Sequence, residues 1–131
     1  MSVVRVEHVY KDYLLGEQTV QALHDITWSI EAGVFLAISG PSGSGKTTLL
    51  NLIGYIDKPS SGKIFINEED ISSKSPNELA DLRARSIGFI FQTFNLFPVL
   101  SAAENVEYPL LRRPDISPEE RKQRVAYFMI S

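Results

Sequence analysis

Apolar and polar residues alternate around Val4 and Val6, and again at Ile26, Trp28 and Ile30, which are separated by Thr27 and Ser29. A period of two predicts strands with one buried face. Glu31-Ala32-Gly33 reads as a turn. Val34-Phe35-Leu36-Ala37-Ile38 is a continuous apolar run, the pattern of a strand buried on both faces in a parallel sheet. A Gly-rich loop follows. Leu49, Leu50, Leu52 and Ile53 then fit a helix over 47–55. Pro59-Ser60-Ser61-Gly62 predicts a turn and Lys63 to Asn67 a short strand. Ile87 to Phe91 reads as a second buried strand. Three segments carry helix starts: Ser75-Pro76-Asn77-Glu78, Ser101-Ala102-Ala103-Glu104 and Ser117-Pro118-Glu119-Glu120. Each sets an N-cap serine three residues before a glutamate. The first of these helices should run to about Arg85. The last should run from near Pro118 to Ser131 and ends on Tyr127-Phe128-Met129-Ile130, an apolar cluster with nothing behind it to pack against. That ending suggests one part of a larger protein.

Length and composition narrow the class. The chain has 131 residues, 44% of them apolar and 22% charged, the proportions of a globular domain. Thirteen basic residues against sixteen acidic give a net charge of −3. No overall basic field argues for nucleic acid or an anionic membrane surface. There is no cysteine, which excludes disulfide scaffolds, thiolate metal sites and cysteine nucleophiles. No apolar run approaches the ~20 residues of a membrane span. The N-terminus, with Arg5, Glu7 and His8 among short apolar steps, lacks the apolar stretch of a signal peptide. The chain reads as cytosolic, with any membrane role acting through a partner.

The strongest chemical signal is Gly40-Pro41-Ser42-Gly43-Ser44-Gly45-Lys46-Thr47-Thr48. It fits the phosphate-loop pattern of Gly, four residues, then Gly-Lys-Thr, and lies between an apolar run and an apolar helix. Gly40, Gly43 and Gly45 permit left-handed backbone and close approach to a ligand. Inward-turned N–H groups of the loop, Ser42 and Ser44 included, make a concave anion site. The helix start adds its positive dipole end. Lys46 would reach the β- and γ-phosphates, Thr47 would offer its hydroxyl to Mg²⁺, and Thr48 is a further hydroxyl donor. The motif implies a nucleoside triphosphate with Mg²⁺ and does not choose among ATPase, GTPase and kinase. His8 and His24 lack metal-ligand spacing. Glu68-Glu69-Asp70 and Glu119-Glu120 read as solvated turn and cap charges.

The flanks narrow the choice. Leu49 to Gly54, then Asp57-Lys58-Pro59-Ser60-Ser61-Gly62, then Ile87-Gly88-Phe89-Ile90-Phe91-Gln92, then Phe94-Asn95-Leu96-Phe97-Pro98 and Glu104-Asn105-Val106 together resemble the nucleotide-binding subunit of an ATP-binding cassette (ABC) transporter. The resemblance runs from about Val3 to Arg113. Asn77-Glu78-Leu79-Ala80, with Arg83 and Arg85, and Glu104 to Leu110 look like the subgroup of lipoprotein-release, macrolide-efflux and antimicrobial-peptide export ATPases.

The resemblance implies an α/β fold: a P-loop NTPase core with an N-terminal antiparallel β-subdomain and the start of the family's helical subdomain, cut short. It implies one partial domain over 1–131, with the β-subdomain and P-loop core at about 1–92 and the Q-loop and start of the helical subdomain at about 92–131. Tyr13 sits where the family stacks an aromatic on adenine, with Tyr10 as a nearby competitor. Gln92 looks like the glutamine that contacts Mg²⁺ and the attacking water. Thr93 to Leu100 would either receive a coupling helix of the permease or pack within the chain's own helical subdomain. The implied cofactors are ATP and Mg²⁺. The implied partners are a membrane permease and a second ATP-binding subunit, at the inner face of the membrane.

The family's catalytic carboxylate pair, its Ser-Gly-Gly-Gln signature and its late histidine have no counterpart in the 131 residues. Lys46, Thr47 and Gln92 cover binding and sensing but supply no general base. The expectation is therefore nucleotide binding without turnover by this chain, and hydrolysis that powers a transporter in an intact protein. The alternatives are a non-catalytic module that binds nucleotide or permease, and an unrelated P-loop kinase. A sheet lacking strands supplied from elsewhere would also expose an edge that favours aggregation.

Overall fold

The computed structural model describes residues 1–131. They form two compact units, Met1–Leu79 and Ala80–Ser131. No helix is long and apolar enough to cross a membrane.

The first unit is built on a four-stranded antiparallel sheet. Strands β1 (Ser2–Leu15) and β2 (Gln18–Glu31) form a long hairpin. Strand β3 (Ser61–Ile66) pairs with the other edge of β1, and the short β4 (Glu69–Asp70) closes the order β2-β1-β3-β4. The alternation seen in the sequence has its counterpart here. Val4 and Val6 are buried and lie opposite Ile66 and Ile64 of β3. The register shifts between Val6 and Val9, where His8 takes a positive φ of 48°. That bulge inserts a residue and returns Val9 to the buried face. On β2, Ile26, Trp28 and Ile30 are half-buried and Thr27 and Ser29 exposed.

Helix α1 (Lys46–Ile53) packs on β2 and β3. Leu52 is its buried anchor and joins Val6, Val9 and Ile64, all fully buried. Burial of each such side chain contributes about 1.5–3 kcal/mol. Helix α2 (Pro76–Ser86) starts at Ser75 as the sequence predicts: Ser75 Oγ accepts from the Glu78 N–H at 3.3 Å, and Glu78 Oε2 accepts from the Ser75 N–H at 2.7 Å.

The second unit is helical. Helix α3 (Ala102–Glu107) carries a complete capping box between Ser101 and Glu104, and a 3₁₀ turn over Tyr108–Arg112 continues it. Helix α4 (Pro118–Ile130) is capped by Ser117 Oγ, which accepts from the Glu120 N–H at 3.1 Å. Arg121 Nε donates to Glu107 Oε1 at 3.0 Å and ties α4 to α3. Tyr127, Phe128 and Ile130 are exposed.

Two expectations fail. Val34 to Ile38 forms no strand, and Val34, Phe35 and Leu36 are exposed, Phe35 almost completely. Ile87 to Phe91 is likewise irregular, with Ile90 fully exposed. The sheet is antiparallel throughout, so neither run finds the parallel neighbours its composition suits. A continuous apolar run specifies an environment covered on both faces. Without strands on either side, its backbone groups have no ladder to join and most of its side chains stay exposed.

Candidate nucleotide-binding site

The phosphate loop enters α1 through a tight turn. The Ser44 N–H donates to the Pro41 carbonyl at 3.2 Å, and the Leu49 N–H donates to the Gly45 carbonyl at 2.9 Å, opening the helix. Gly43 and Gly45 both hold positive φ, 81° and 91°. At Gly45 a second constraint is added. A Cβ there would lie 2.7 Å from the Ala22 carbonyl oxygen and 2.9 Å from Leu23 Cδ2. Only glycine allows both the left-handed turn and this approach to β2.

Lys46 curls over the loop. Its ammonium donates to the carbonyls of Gly40 and Pro41, each at 2.7 Å, and to Ser44 Oγ at 3.1 Å. The loop is thereby held as a ring around its own cation. The N-cap of α1 is Gly45, which offers no side-chain acceptor, and the first turn contains no acidic residue. The helix-start N–H groups and the positive dipole end are thus not offset by a carboxylate of the cap or the first turn. Thr47 is exposed and Thr48 half-buried. The arrangement suits a multiply charged anion.

The hairpin brings Tyr13 to the same part of the unit. Gly45 abuts Ala22 and Leu23. In the β1–β2 register, Leu23 lies opposite Lys11, Gln21 opposite Asp12 and Val20 opposite Tyr13. Tyr13 is half-buried, and its hydroxyl donates to Asp57 Oδ2 at 3.1 Å. Lys11 Nζ lies 2.9 Å from the same oxygen and 4.9 Å from the Tyr13 ring centroid. Tyr10 is engaged elsewhere, meeting the His24 ring edge-on at 5.1 Å.

Burial pushes the Asp57 carboxyl up, but bonds from Lys11, the Lys58 backbone and Tyr13, with the Lys11 charge, outweigh it and hold it below the usual carboxylate range. Neither Lys11 nor Asp57 was singled out as a site residue in the sequence. The signal that points to them is the Lys-x-Tyr spacing on a strand together with an acidic residue just past the helix.

Gln92 lies in the second unit, exposed in an irregular segment. Ahead of it, Phe89 and Phe91 stack at 5.4 Å, nearly parallel. Beyond it, Phe94, Leu96 and Val99 are exposed, while Phe97 packs on Tyr108 at 4.7 Å. Asn105 pins this stretch. Its Oδ1 accepts from the Phe97 N–H at 2.8 Å, and its Nδ2 donates to the carbonyls of Phe97, Leu100 and Ser101.

Most of the remaining charges named in the sequence have local partners. His8 Nδ1 lies 2.8 Å from Asp25 Oδ1, and His24 Nδ1 lies 3.0 Å from Gln21 Oε1. Glu68 pairs with Arg5, Glu69 with Lys74 and Glu120 with Arg124. No group of three or more His, Cys, Asp or Glu side chains is placed to hold a metal.

A sequence profile described as "ABC transporter" matches residues 23–130. The chain belongs to the ABC transporter family. An ABC transporter ATP-binding protein of Methanocaldococcus jannaschii, MJ0796, is 44% identical over 124 residues, 93% of this chain and 53% of that protein. The macrolide export ATP-binding/permease protein MacB of Brucella abortus is 44% identical over 95% of this chain and 19% of its own length. A dimeric structure of MJ0796 in a post-hydrolysis state, bound to ADP and Pi, superposes with a TM-score of 0.84 at 44% identity, covering 95% of this chain and 54% of that one. The chain therefore has the fold of part of an ABC cassette, and it spans about half the length of MJ0796.

Proposed function

We propose that this chain binds ATP with Mg²⁺ through residues 40–48 and Tyr13, as the nucleotide-binding portion of an ABC transporter ATPase. The observation that carries this reading is the loop itself: paired left-handed glycines, a lysine curled across the ring, and a helix whose first turn carries no carboxylate. Gly40, Ser42, Gly43, Ser44 and Gly45 cradle the phosphates with backbone N–H groups. Lys46 neutralises charge on the β- and γ-phosphates. Thr48 adds a hydroxyl at the helix start. Tyr13 provides a face for adenine, and stacking of this kind contributes roughly 1–3 kcal/mol per base.

The Thr47 hydroxyl is the oxygen donor that the phosphate-loop unit offers to Mg²⁺, which prefers oxygen ligands shared with phosphates and water; Gln92, in the second unit, is assigned to Mg²⁺ on the family resemblance alone. Mg²⁺ held at Thr47 would neutralise charge on the terminal phosphates. We read the β-subdomain and phosphate-loop core as about residues 1–92, and the glutamine loop with the start of the helical subdomain as about residues 92–131. Thr93 to Leu100 is the stretch offered to a permease, through which the protein would sit at the inner face of a membrane. A second ATP-binding subunit would complete the cassette dimer. The similarity to MacB supports an export or lipoprotein-release setting, and the MJ0796 dimer supports the pairing of two cassettes.

Turnover in the family uses a carboxylate pair and a Ser-Gly-Gly-Gln segment that the 131 residues do not contain. Binding without hydrolysis is therefore proposed for these 131 residues, and hydrolysis coupled to transport for an ABC protein that carries those segments. Calorimetric titration with MgATP tests this. Binding should weaken at least tenfold in Lys46→Ala, and phosphate release should stay at background. Equal affinity in Lys46→Ala would contradict the assignment of the loop. Mg²⁺-dependent turnover lost in that variant would contradict the division between binding and catalysis.

A further inference from the structure

Tyr13 is not a free aromatic. Its hydroxyl donates to Asp57 Oδ2 at 3.1 Å. Lys11 Nζ lies 2.9 Å from that oxygen, donates to the Lys58 carbonyl at 2.7 Å, and stands 4.9 Å from the centroid of the Tyr13 ring. The Lys11 side chain is only 12% exposed. Asp57 is held in turn: its Oδ1 accepts from the Lys58 N–H at 2.7 Å. The N–H groups of Ile56 and Asp57 both donate to the Asn51 carbonyl, at 2.9 and 3.2 Å. Asn51 belongs to α1, the helix that the phosphate loop opens.

A continuous set of bonds thus runs from the phosphate-loop helix, through Asn51 and Asp57, to the hydroxyl of Tyr13. Lys11 braces it from the side. A tyrosine on a strand ordinarily has freedom at χ1 and a broad χ2. Here the far end of the ring is fixed by a charge-assisted bond, which is the stronger class of hydrogen bond. A cation near the ring face adds a second restraint.

We propose that Asp57 and Lys11 are positioning residues for nucleotide binding, which set the Tyr13 ring at a fixed distance from the phosphate loop so that base and phosphates are engaged together. This rests on the reading of 40–48 and Tyr13 as an ATP site. It adds that the base platform is preorganised by the helix that carries the phosphate loop. Affinity gained this way comes from ordering that need not occur on binding.

The test compares MgATP with magnesium tripolyphosphate, which has the phosphates and no base. Both are titrated calorimetrically into the full chain and into Tyr13→Ala, Tyr13→Phe, Asp57→Asn and Lys11→Met. Tyr13→Phe keeps the ring and cuts only the tie. The expected result is a preference for ATP over tripolyphosphate that falls tenfold or more in Tyr13→Ala. It should fall threefold or more in Tyr13→Phe, Asp57→Asn and Lys11→Met, with tripolyphosphate affinity held within twofold. That constancy also reports an intact loop.

A wild-type preference in Tyr13→Phe and Asp57→Asn, with loss only in Tyr13→Ala, would overturn the positioning role and leave the base platform standing. Equal weakening of both ligands would overturn it too, by making the tie purely structural. A preference unchanged in Tyr13→Ala as well would remove the base platform itself. A wild-type chain that binds neither ligand would refute the phosphate-loop reading on which the proposal stands.

Discussion

Gly45 joins two demands at one position. Its φ of 91° lies in the left-handed region, and its α-carbon faces the Ala22 carbonyl so closely that a methyl group would sit 2.7 Å from that oxygen. The neighbour is backbone and cannot swing aside as a side chain could. Gly45→Ala should therefore cost more than the ~1 kcal/mol of a strained backbone alone. We expect a loss of about 2–4 kcal/mol in urea-induced unfolding of the first unit, together with weaker MgATP binding, because relief of the clash moves the loop away from β2. Gly43 has the same sign of φ but open space around it, so Gly43→Ala should cost about 1–2 kcal/mol. The two variants, measured side by side, separate strain from collision. The loop residues were legible because their chemistry is local: glycine, lysine and threonine at fixed spacing describe a turn and a helix start with no help from the rest of the fold. Lys11 and Asp57 were not legible as partners of Tyr13, since their meeting depends on the hairpin register and on the turn after α1.

At the level of elements, the capped helices and the alternating strands were readable, and the two continuous apolar runs were not. Ser75, Ser101 and Ser117 each cap the helix their spacing predicts, because a cap is settled within four residues. Val34 to Ile38 and Ile87 to Phe91 have strand composition but depend on neighbours distant in sequence, and they remain irregular. Asn105 is the opposite case, one side chain that organises a segment. With bonds to Phe97, Leu100 and Ser101, it holds the turn before α3 in place of regular structure. Asn105→Ala removes its acceptor and both amide donors. It should cost the second unit about 1–3 kcal/mol. Hydrogen exchange at the Phe97 amide should accelerate at least tenfold, and amides in α4 should be little affected. Unchanged exchange at Phe97 would show that the segment is held by its apolar contacts instead.

At the scale of the whole chain, stability should depend on alkaline pH through Tyr55. This residue is 3% exposed. Burial, reinforced by the negative charge of Glu69, pushes its hydroxyl up to about 12. An unfolded tyrosine ionises near pH 10. Between those values the unfolded chain releases a proton that the folded chain retains, so stability is undiminished below pH 10 and falls as pH rises toward 12. The loss amounts to about 2–3 kcal/mol. Urea midpoints followed across pH 9–12 should decline more steeply for the wild-type chain than for Tyr55→Phe, and parallel slopes would refute the assignment. The central claim is that the phosphate loop and Tyr13 form one nucleotide site in this chain. Amide chemical-shift mapping with MgATP tests it most directly. Saturable shifts should cluster at Gly43, Gly45, Lys46, Thr47 and around Tyr13, and Lys46→Ala should greatly reduce them. Shifts absent from the loop, or clustered instead on α4, would contradict it.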